Sequence, residues 1–302
     1  MNTMNKRNTS KLMQRRPLVW LMLLLAVVLV AGCSSDKGGT VKLAYVAWDS
    51  EIASTNVVKE VLESKLGVKV EMLQVDAGPM WAGIADGSAD AMVAAWLPST
   101  HASYLERYGK DMEDIGVNLD GTKTGLAVPA YMDINSIDDL KNADVASSLN
   151  QTIIGIEPGA GIMSATEKAL ETYGLSDYTL LESSSAAMAQ ELQKAFDKNE
   201  PIVVTGWTPH WMFANMDLKY LDDPQNVFGG AEQIHTMARK GLQEDMPEVH
   251  KFLSQFKWSA EDMEQVMVKI QGGQSPEEAA KEWVESNEAK VNEWTAGVSS
   301  KE

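Results

Sequence analysis

Two tryptophans and a histidine fall within five positions of the stretch VVTGWTPHWMFA, residues 203–214, directly after an apolar run. No acidic or cysteine side chain stands beside them to suggest acid–base or nucleophilic catalysis. The face of an indole ring attracts cations, most strongly those that hold water weakly, such as quaternary ammonium groups. The chemistry that this stretch indicates is therefore the binding of a methylated cation.

Three tryptophans, Trp48, Trp96 and Trp207, lie at the carboxyl ends of predicted strands. In open α/β sheets, ligands bind outside the carboxyl ends of the strands. Each ring taken alone has an equally good alternative, which is packing between a helix and a sheet. Three rings at equivalent strand ends favour a common cation cage, and we expect no carboxylate to attend them.

A second, anion-binding position is indicated by the segment EPGAGIM, residues 157–163, in which Gly159 and Gly161 precede a predicted helix. Free backbone N–H groups and the positive end of the helix dipole favour an anion there. The third glycine of a dinucleotide-binding motif is missing, so the segment predicts no nucleotide cofactor. His101 is placed to direct a hydrogen bond to a carboxylate, although a lone histidine is also typical of a surface or capping group. A cation cage beside an anion site describes a zwitterionic ligand.

The elements that position these residues occur twice along the chain, each time in the order strand, helix, strand, helix, strand. In the first half the segments are VKLAYVAW, STNVVKEVLESKLG, VKVEMLQV, PMWAGIADG and ADAMVAAW. In the second half they are TIIGIEPG, IMSATEKALETYGL, YTLLES, AAMAQELQKAFDKN and PIVVTGW. This βαβαβ order predicts an α/β fold with parallel strands in each half.

The two halves also share motifs at the ends of their strands. Trp48 aligns with Glu157 and Trp96 with Trp207, and both third strands end in Trp-x-Pro, as AAWLPSTH and TGWTPHWM. Such an internal repeat predicts two similar lobes that enclose a ligand cleft.

The predicted lobes are discontinuous in sequence. We expect lobe 1 to comprise residues 41–128 plus 240–302 and lobe 2 to comprise residues 129–239, joined by a two-segment hinge in GLAVPAYM and IHTMARKG. Three C-terminal segments, PEVHKFLSQF, SAEDMEQVMVKIQGG and SPEEAAKEWVESNEAKVNEW, read as helices that complete lobe 1. Ser259 and Ser275 are candidate N-caps for the last two, with acidic residues in the first turn.

The N-terminal residues 1–32 read as an export signal, with a basic start, the apolar run PLVWLMLLLAVVLVAG and a small-residue ending. The apolar run is short for a membrane span. The ending Val30-Ala31-Gly32-Cys33 resembles a bacterial lipobox, in which the cysteine carries lipid. Cys33 is the single cysteine and has no disulfide partner. We expect residues 33–40 to be a flexible tether; an incidental cysteine at an ordinary cleavage site is the alternative.

Charge and composition exclude several classes of function. The chain carries a net charge of −17, and loss of the basic leader would make the mature part more acidic, which disfavours nucleic acid. His210, His235 and His250 show no metal-ligand spacing and no cysteine partners, so we predict no metal site and no cofactor. The remaining tryptophans of the mature part are expected to pack in the interior: Trp81, Trp211, Trp258, Trp283 and Trp294.

Five segments carry a specific resemblance: LAYVAWDSEIASTNV, AGPMW, SADAMVAAWLPSTH, GIEPGAGIM and VTGWTPHWMF. From about residue 41 to 297 the chain closely resembles the glycine betaine-binding proteins of osmoprotectant ABC importers. The resemblance implies a type II periplasmic-binding-protein fold. It also implies a ligand site with a tryptophan prism around the trimethylammonium group and with backbone amides and a histidine on the carboxylate. Carried over, these are Trp48, Trp96 and Trp207, the amides of Gly161 and Ile162, and His101.

The function that the resemblance implies is capture of glycine betaine, or a related zwitterion such as proline betaine, and its delivery to membrane permease subunits. The protein would be a monomer outside the cytoplasm, lipid-anchored on a Gram-positive surface or on the periplasmic side of a Gram-negative membrane. It would not be an enzyme.

The alternative function is that of an envelope enzyme acting on a choline-like substrate, because Asp49, Glu51 and Glu157 lie at strand ends. Capping of a helix accounts for Asp49 and Glu51 without catalysis. A lipoprotein that only scaffolds envelope proteins is a third possibility.

Overall fold

The computed structural model describes Met1 and residues 39–299, so the predicted signal peptide and Cys33 lie outside the described residues. The strands are β1 (Val41–Tyr45), β2 (Val70–Gln74), β3 (Ala91–Leu97), β4 (Met112–Pro129), β5 (Thr152–Ile154), β6 (Thr179–Leu181), β7 (Val204–Thr208), β8 (Leu218–Tyr220) and β9 (Glu232–Arg239).

The helices alternate with these strands over most of the described chain. They are α1 (Asp49–Ser64), α2 (Ala77–Asp86), α3 (Ala102–Tyr108), α4 (Ala143–Ser148), α5 (Gly161–Thr172), α6 (Ser185–Lys198), α7 (Trp211–Asn215), α8 (Leu242–Asp245), α9 (Pro247–Gln255), α10 (Ala260–Gln271), α11 (Pro276–Ser286) and α12 (Glu288–Trp294). Short 3₁₀ turns occupy Gly109–Asp111 and Ile137–Lys141. Both predicted βαβαβ units are therefore present, with α1 starting five residues earlier than the sequence predicts.

One sheet in the order β2-β1-β3-β9-β4-β7-β5-β6, with β8 also paired to β4, connects the two units. Within each unit the strands are parallel: β1 pairs with β2 and β3, and β5 with β6 and β7. The long strand β4 belongs to both units, because residues 112–122 pair with β9 and residues 123–129 pair with β7 and β8. The first crossing between the units therefore falls inside β4.

The pairing of β9 differs from the predicted lobe boundary, which places residues 129–239 in lobe 2. β9 lies antiparallel between β3 and β4, in the sheet of the first unit. Alternate residues of β9 are buried, which fixes it firmly in that sheet. The second crossing consequently falls in residues 221–231, between β8 and β9, rather than in IHTMARKG.

Helices α10 and α11 pack against α1, and α9 packs against β4 and β9, as predicted for elements that complete the first unit. Ser259 and Ser275 both form capping boxes, each accepting a hydrogen bond from the backbone three residues on. The segment predicted as one last helix is broken at Asn287 into α11 and α12. Trp258, Trp283 and Trp294 are buried and pack on one another, in agreement with their predicted interior role. Within residues 39–299, no helix has the length and apolar character needed to cross a bilayer.

Candidate functional site

A small cavity lies between the carboxyl ends of the strands of the two units. The residues that line it are Trp48, Trp96, Thr100, His101, Thr124, Ile156, Ala160, Gly161, Ile162 and Trp207. All six residues predicted to contact a ligand are therefore brought together in one cavity.

The three indole walls come from different elements. Trp48 immediately precedes α1, Trp96 is on β3 and Trp207 is on β7. Each ring is almost fully buried, with 6%, 3% and 4% of its surface exposed, respectively. They lie at the carboxyl ends of the strands, where open α/β sheets bind ligands, and their surface is apolar and electron-rich.

Side chains at the start of α1 accept hydrogen bonds from the N–H groups of two of these rings. Trp96 Nε1 donates to Glu51 Oε1 at 2.9 Å, and Trp207 Nε1 donates to Ser50 Oγ at 3.3 Å. Trp48 Nε1 donates to a carboxylate oxygen of Glu157, from the segment before α5. The expectation that no carboxylate lies near the indoles is therefore wrong, because Glu51 and Glu157 accept hydrogen bonds from ring N–H groups.

The expectation that Asp49 and Glu51 cap α1 is also wrong. The N-cap position of α1 is Trp48, and no side chain accepts a hydrogen bond from the first-turn amides. The two acids instead point toward aromatic residues. Their charge still lies at the positive end of the helix dipole, which stabilises carboxylates.

Asp49 receives two hydrogen bonds from the second unit and lies near a histidine of that unit. Ser185 Oγ donates at 2.8 Å, Trp211 Nε1 donates at 2.9 Å, and His210 Nε2 lies 3.4 Å away. Burial alone would raise the pKa of Asp49, but these hydrogen bonds and the His210 charge outweigh it and lower the pKa below its ordinary value. Trp211 is buried and absent from the cavity lining, so it packs and also ties the second unit to α1.

Glu51 has a different environment. It is fully buried, and burial raises its pKa to about 7 despite hydrogen bonds from Trp96 and Ser54. Glu51 does not line the cavity, and it reaches the cavity only through the Trp96 ring.

Another part of the cavity wall, next to Trp48 and Trp96, is built largely from backbone. Gly161 and Ile162 are the first two residues of α5, and Ala160 caps the helix without a side-chain hydrogen bond. Their amides are among the N–H groups that a helix start leaves without an intrahelical acceptor. Gly161 is required sterically, since a Cβ there would lie 2.0 Å from the carbonyl oxygen of Thr100. The helix start is thus pressed against the turn that follows β3.

His101 completes this part of the wall and is fully buried. Burial lowers its pKa to about 3, so the ring is neutral at physiological pH. Its Nδ1 accepts a hydrogen bond from the Trp96 backbone N–H at 3.1 Å, which assigns the proton to Nε2. Nε2 is buried and has no partner among the described residues. A buried donor without an acceptor is costly, and an anionic ligand group in the cavity would satisfy it.

The turn that carries His101 is fixed by Glu232 of β9. This buried carboxylate accepts hydrogen bonds from the Ser99 and Thr100 amides at 2.7 Å each, and from the Thr100 hydroxyl. Sequence reasoning missed Thr100, Thr124, Ile156 and Ala160 as lining residues, since their types are ordinary and only the pairing of distant strands brings them to the cavity. The Trp-x-Pro motif is the one signal that marks the neighbourhood of Thr100.

Trp81 lies behind the site and not in its wall. It is fully buried, packs edge-on against His101 with ring centroids 5.7 Å apart, and stacks on Tyr104. Among residues 39–299, no group of three or more His, Cys, Asp or Glu side chains is arranged to hold a metal ion.

Two linked α/β units, with a small cavity between their strand ends, define the chain as a two-lobed binding protein for a small ligand. Its sequence matches, over residues 39–286, the family described as the substrate binding domain of ABC-type glycine betaine transport systems. The chain belongs to this family, whose members are substrate-binding components of transporters and not enzymes.

Individual relatives agree with this assignment. The glycine betaine/carnitine transport binding protein GbuC of Listeria monocytogenes is 55% identical over 157 residues, which cover 51% of this chain and 52% of GbuC. The match thus spans about half the length of that curated relative.

Solved structures cover more of the chain. Lactococcal OpuAC, crystallised in a closed-liganded conformation with glycine betaine, is 46% identical with a TM-score of 0.80, over 85% of this chain and 99% of that one. The ProX protein of Borrelia burgdorferi, described as a glycine betaine/L-proline-binding protein, is 36% identical with a TM-score of 0.82, over 86% and 97%. These likenesses confirm the predicted type II periplasmic-binding-protein fold.

Proposed function

We propose that this chain captures glycine betaine in the cavity between Trp48, Trp96 and Trp207 and delivers it to an ABC importer for osmoprotection. The observation that carries the proposal is the pairing, in one small cavity, of three indole faces with the buried, unpartnered Nε2 of His101.

The trimethylammonium group would lie among the indole faces. Such a group has no N–H to donate, so it loses little on leaving water and needs no acceptor in the cavity. Each desolvated cation–π contact is worth about 2 kcal/mol, and three faces together contribute roughly 6 kcal/mol.

The carboxylate would lie at the start of α5, with the Gly161 and Ile162 amides and His101 Nε2–H as donors. Hydrogen bonds to a charged group contribute about 1.5–3 kcal/mol each. Association costs at least about 4 kcal/mol, so the net affinity falls near the micromolar range.

Transport requires the protein to be held outside the cytoplasm beside its permease. We infer that Cys33 carries a lipid anchor, that the protein works as a monomer on the outer face of the cell membrane, and that membrane permease subunits are its partners. The two lobes would close on the ligand, with the bends at the two crossings in β4 and in residues 221–231. The closed-liganded conformation of lactococcal OpuAC supports closure of the lobes.

The ligand assignment is tested by calorimetry with glycine betaine, dimethylglycine and choline. Glycine betaine should bind at least tenfold more tightly than dimethylglycine, whose amine keeps one N–H and finds no acceptor among indole faces. The variant His101→Ala should lose affinity for glycine betaine and keep its affinity for choline, which has no carboxylate. Equal affinities of the parent protein for glycine betaine and dimethylglycine would contradict the cage.

The anchor is tested separately with Cys33→Ala expressed in a bacterial host. The altered protein should leave the membrane fraction or remain unprocessed, and it should still bind ligand. A cleaved form that stays with the membrane after a salt wash would contradict lipid anchoring.

A further inference from the structure

Glu51 is a buried carboxylate for which neither catalysis nor capping provides a role. None of its surface is exposed, and it lies outside the cavity lining. Its Oε1 accepts the Trp96 N–H at 2.9 Å, and its Oε2 lies 3.4 Å from Ser54 Oγ. An apolar or amide side chain would fill the same space without the penalty of burying a charge.

No cationic side chain compensates this carboxylate. Among the ion pairs of the described residues, none involves Glu51. Glu51 is the third residue of α1, so the positive end of the helix dipole still favours its ionised form. A buried acid with so little compensation normally stays neutral, unless a positive charge arrives from elsewhere.

The Trp96 ring connects Glu51 to the cavity. Its N–H edge meets the carboxylate while the ring lines the cavity. A negative acceptor on the N–H pushes electron density into the indole, which strengthens its attraction for a cation on its face. In addition, the carboxylate charge acts directly through a medium of low dielectric, where Coulomb attraction is strong.

The other two cage rings differ in this respect. Trp207 donates to the neutral hydroxyl of Ser50, and the acceptor of Trp48, Glu157, is partly exposed to water. Of the three acceptors, Glu51 alone combines a titratable charge with complete burial.

We propose that ionised Glu51, acting through Trp96, is a positioning residue that supplies counter-charge and makes the cavity select a cation over a neutral group of the same shape. This inference rests on the proposed function, in which the cavity binds a trimethylammonium group. It assigns to Glu51 a role in ligand selectivity rather than in the stability of the fold.

The test compares two ligands of the same shape at pH 8, where Glu51 is ionised. Glycine betaine carries a trimethylammonium group, and 3,3-dimethylbutanoate carries a tert-butyl group at the same position; both have the carboxylate. Calorimetry would measure both with the parent protein, Glu51→Gln and the matched control Glu60→Gln, which makes the same change on a partly exposed position of α1. Glutamine preserves the acceptor for Trp96 and removes only the charge.

We expect Glu51→Gln to weaken glycine betaine about tenfold and to change 3,3-dimethylbutanoate less than twofold, and Glu60→Gln to change neither. Equal loss for both ligands would reduce Glu51 to a structural role, and no loss for either would overturn the proposal. Glu51→Asp provides a second measurement: it keeps the charge and shortens the reach, so it should retain the preference for glycine betaine even if both affinities fall. If the parent protein itself fails to bind glycine betaine, the proposed function fails, which is a separate outcome.

Discussion

The starts of α1 and α5 occupy corresponding places in the two βαβαβ units, and they use the same geometry in opposite ways. At α1, three successive side chains, Asp49, Ser50 and Glu51, accept hydrogen bonds from indole N–H groups. At α5, the first residues are Gly161 and Ile162, whose side chains accept nothing and whose amides face the cavity end. One helix start therefore carries two acidic side chains and a hydroxyl, whereas the other is bare, with no polar side chain on its first two residues.

The contrast between the two helix starts explains how one repeat can form a site for a zwitterion. A helix N-terminus is electropositive and attracts anions, so the bare start of α5 is suited to a carboxylate. The same field at α1 would repel a trimethylammonium group, and the acids at positions 49 and 51 offset it. The aligned positions Trp48 and Glu157 then meet across the two units, as the indole N–H donates to the carboxylate.

The largest effect on glycine betaine affinity is expected from Gly161→Ala, which adds a side chain at the start of α5. The added Cβ would lie 2.0 Å from the Thr100 carbonyl oxygen, which the Glu232 contacts hold in place. The two units could then not approach, and glycine betaine affinity should fall at least hundredfold with little change in melting temperature. Gly230→Ala is the control, because nothing lies within 4 Å of its Cβ position. Parent-like binding by Gly161→Ala would show that the close approach is dispensable.

A smaller loss of affinity is expected when one indole wall of the cavity is removed. Trp207→Ala removes one indole face, worth about 2 kcal/mol, and should weaken glycine betaine roughly tenfold to a hundredfold. Because Trp207 lines a cavity, the melting temperature should change little. Trp211→Ala should do the reverse, since its ring packs outside the cavity lining and fills buried space. Calorimetry and thermal unfolding of both variants check this, and a loss of affinity that is equal in the two would remove the distinction between cage and packing.

A different kind of effect, on stability and not on affinity, is expected from the pH dependence at α1. The folded-state pKa of Glu51, about 7, lies above the ordinary glutamate pKa of 4.5, so the folded protein holds the proton more tightly than the unfolded chain. Stability from this group is present below about pH 4.5 and is lost as the pH rises to about 7, by an amount on the order of 3 kcal/mol. Glu51→Gln should therefore raise the melting temperature relative to the parent at pH 8 and leave it similar at pH 4.5. A difference between the two proteins that does not vary with pH would contradict a buried, titrating carboxylate.

Sequence reasoning succeeds where local pattern determines the answer. Strand and helix order, the Ser259 and Ser275 caps and the strand-end tryptophans all follow from periodicity and residue type within short windows. The pairing of β9 with β3 and β4 does not, because it joins residues more than a hundred positions apart. For the same reason the sequence presents Asp49 and Glu51 as ordinary first-turn acids, and only tertiary structure shows that indoles from β3 and α7 reach them.

The most direct test asks whether the cation and the carboxylate of the ligand are bound by different residues. Binding is measured by calorimetry for every combination of three ligands and three proteins. The ligands are glycine betaine, choline and 3,3-dimethylbutanoate, and the proteins are the parent, Trp207→Ala and His101→Ala. We expect His101→Ala to weaken the two carboxylate ligands roughly tenfold to a hundredfold and to spare choline. Trp207→Ala should weaken the two cationic ligands more than 3,3-dimethylbutanoate. If each variant weakened all three ligands by the same factor, the cation and the carboxylate would not be bound by different residues.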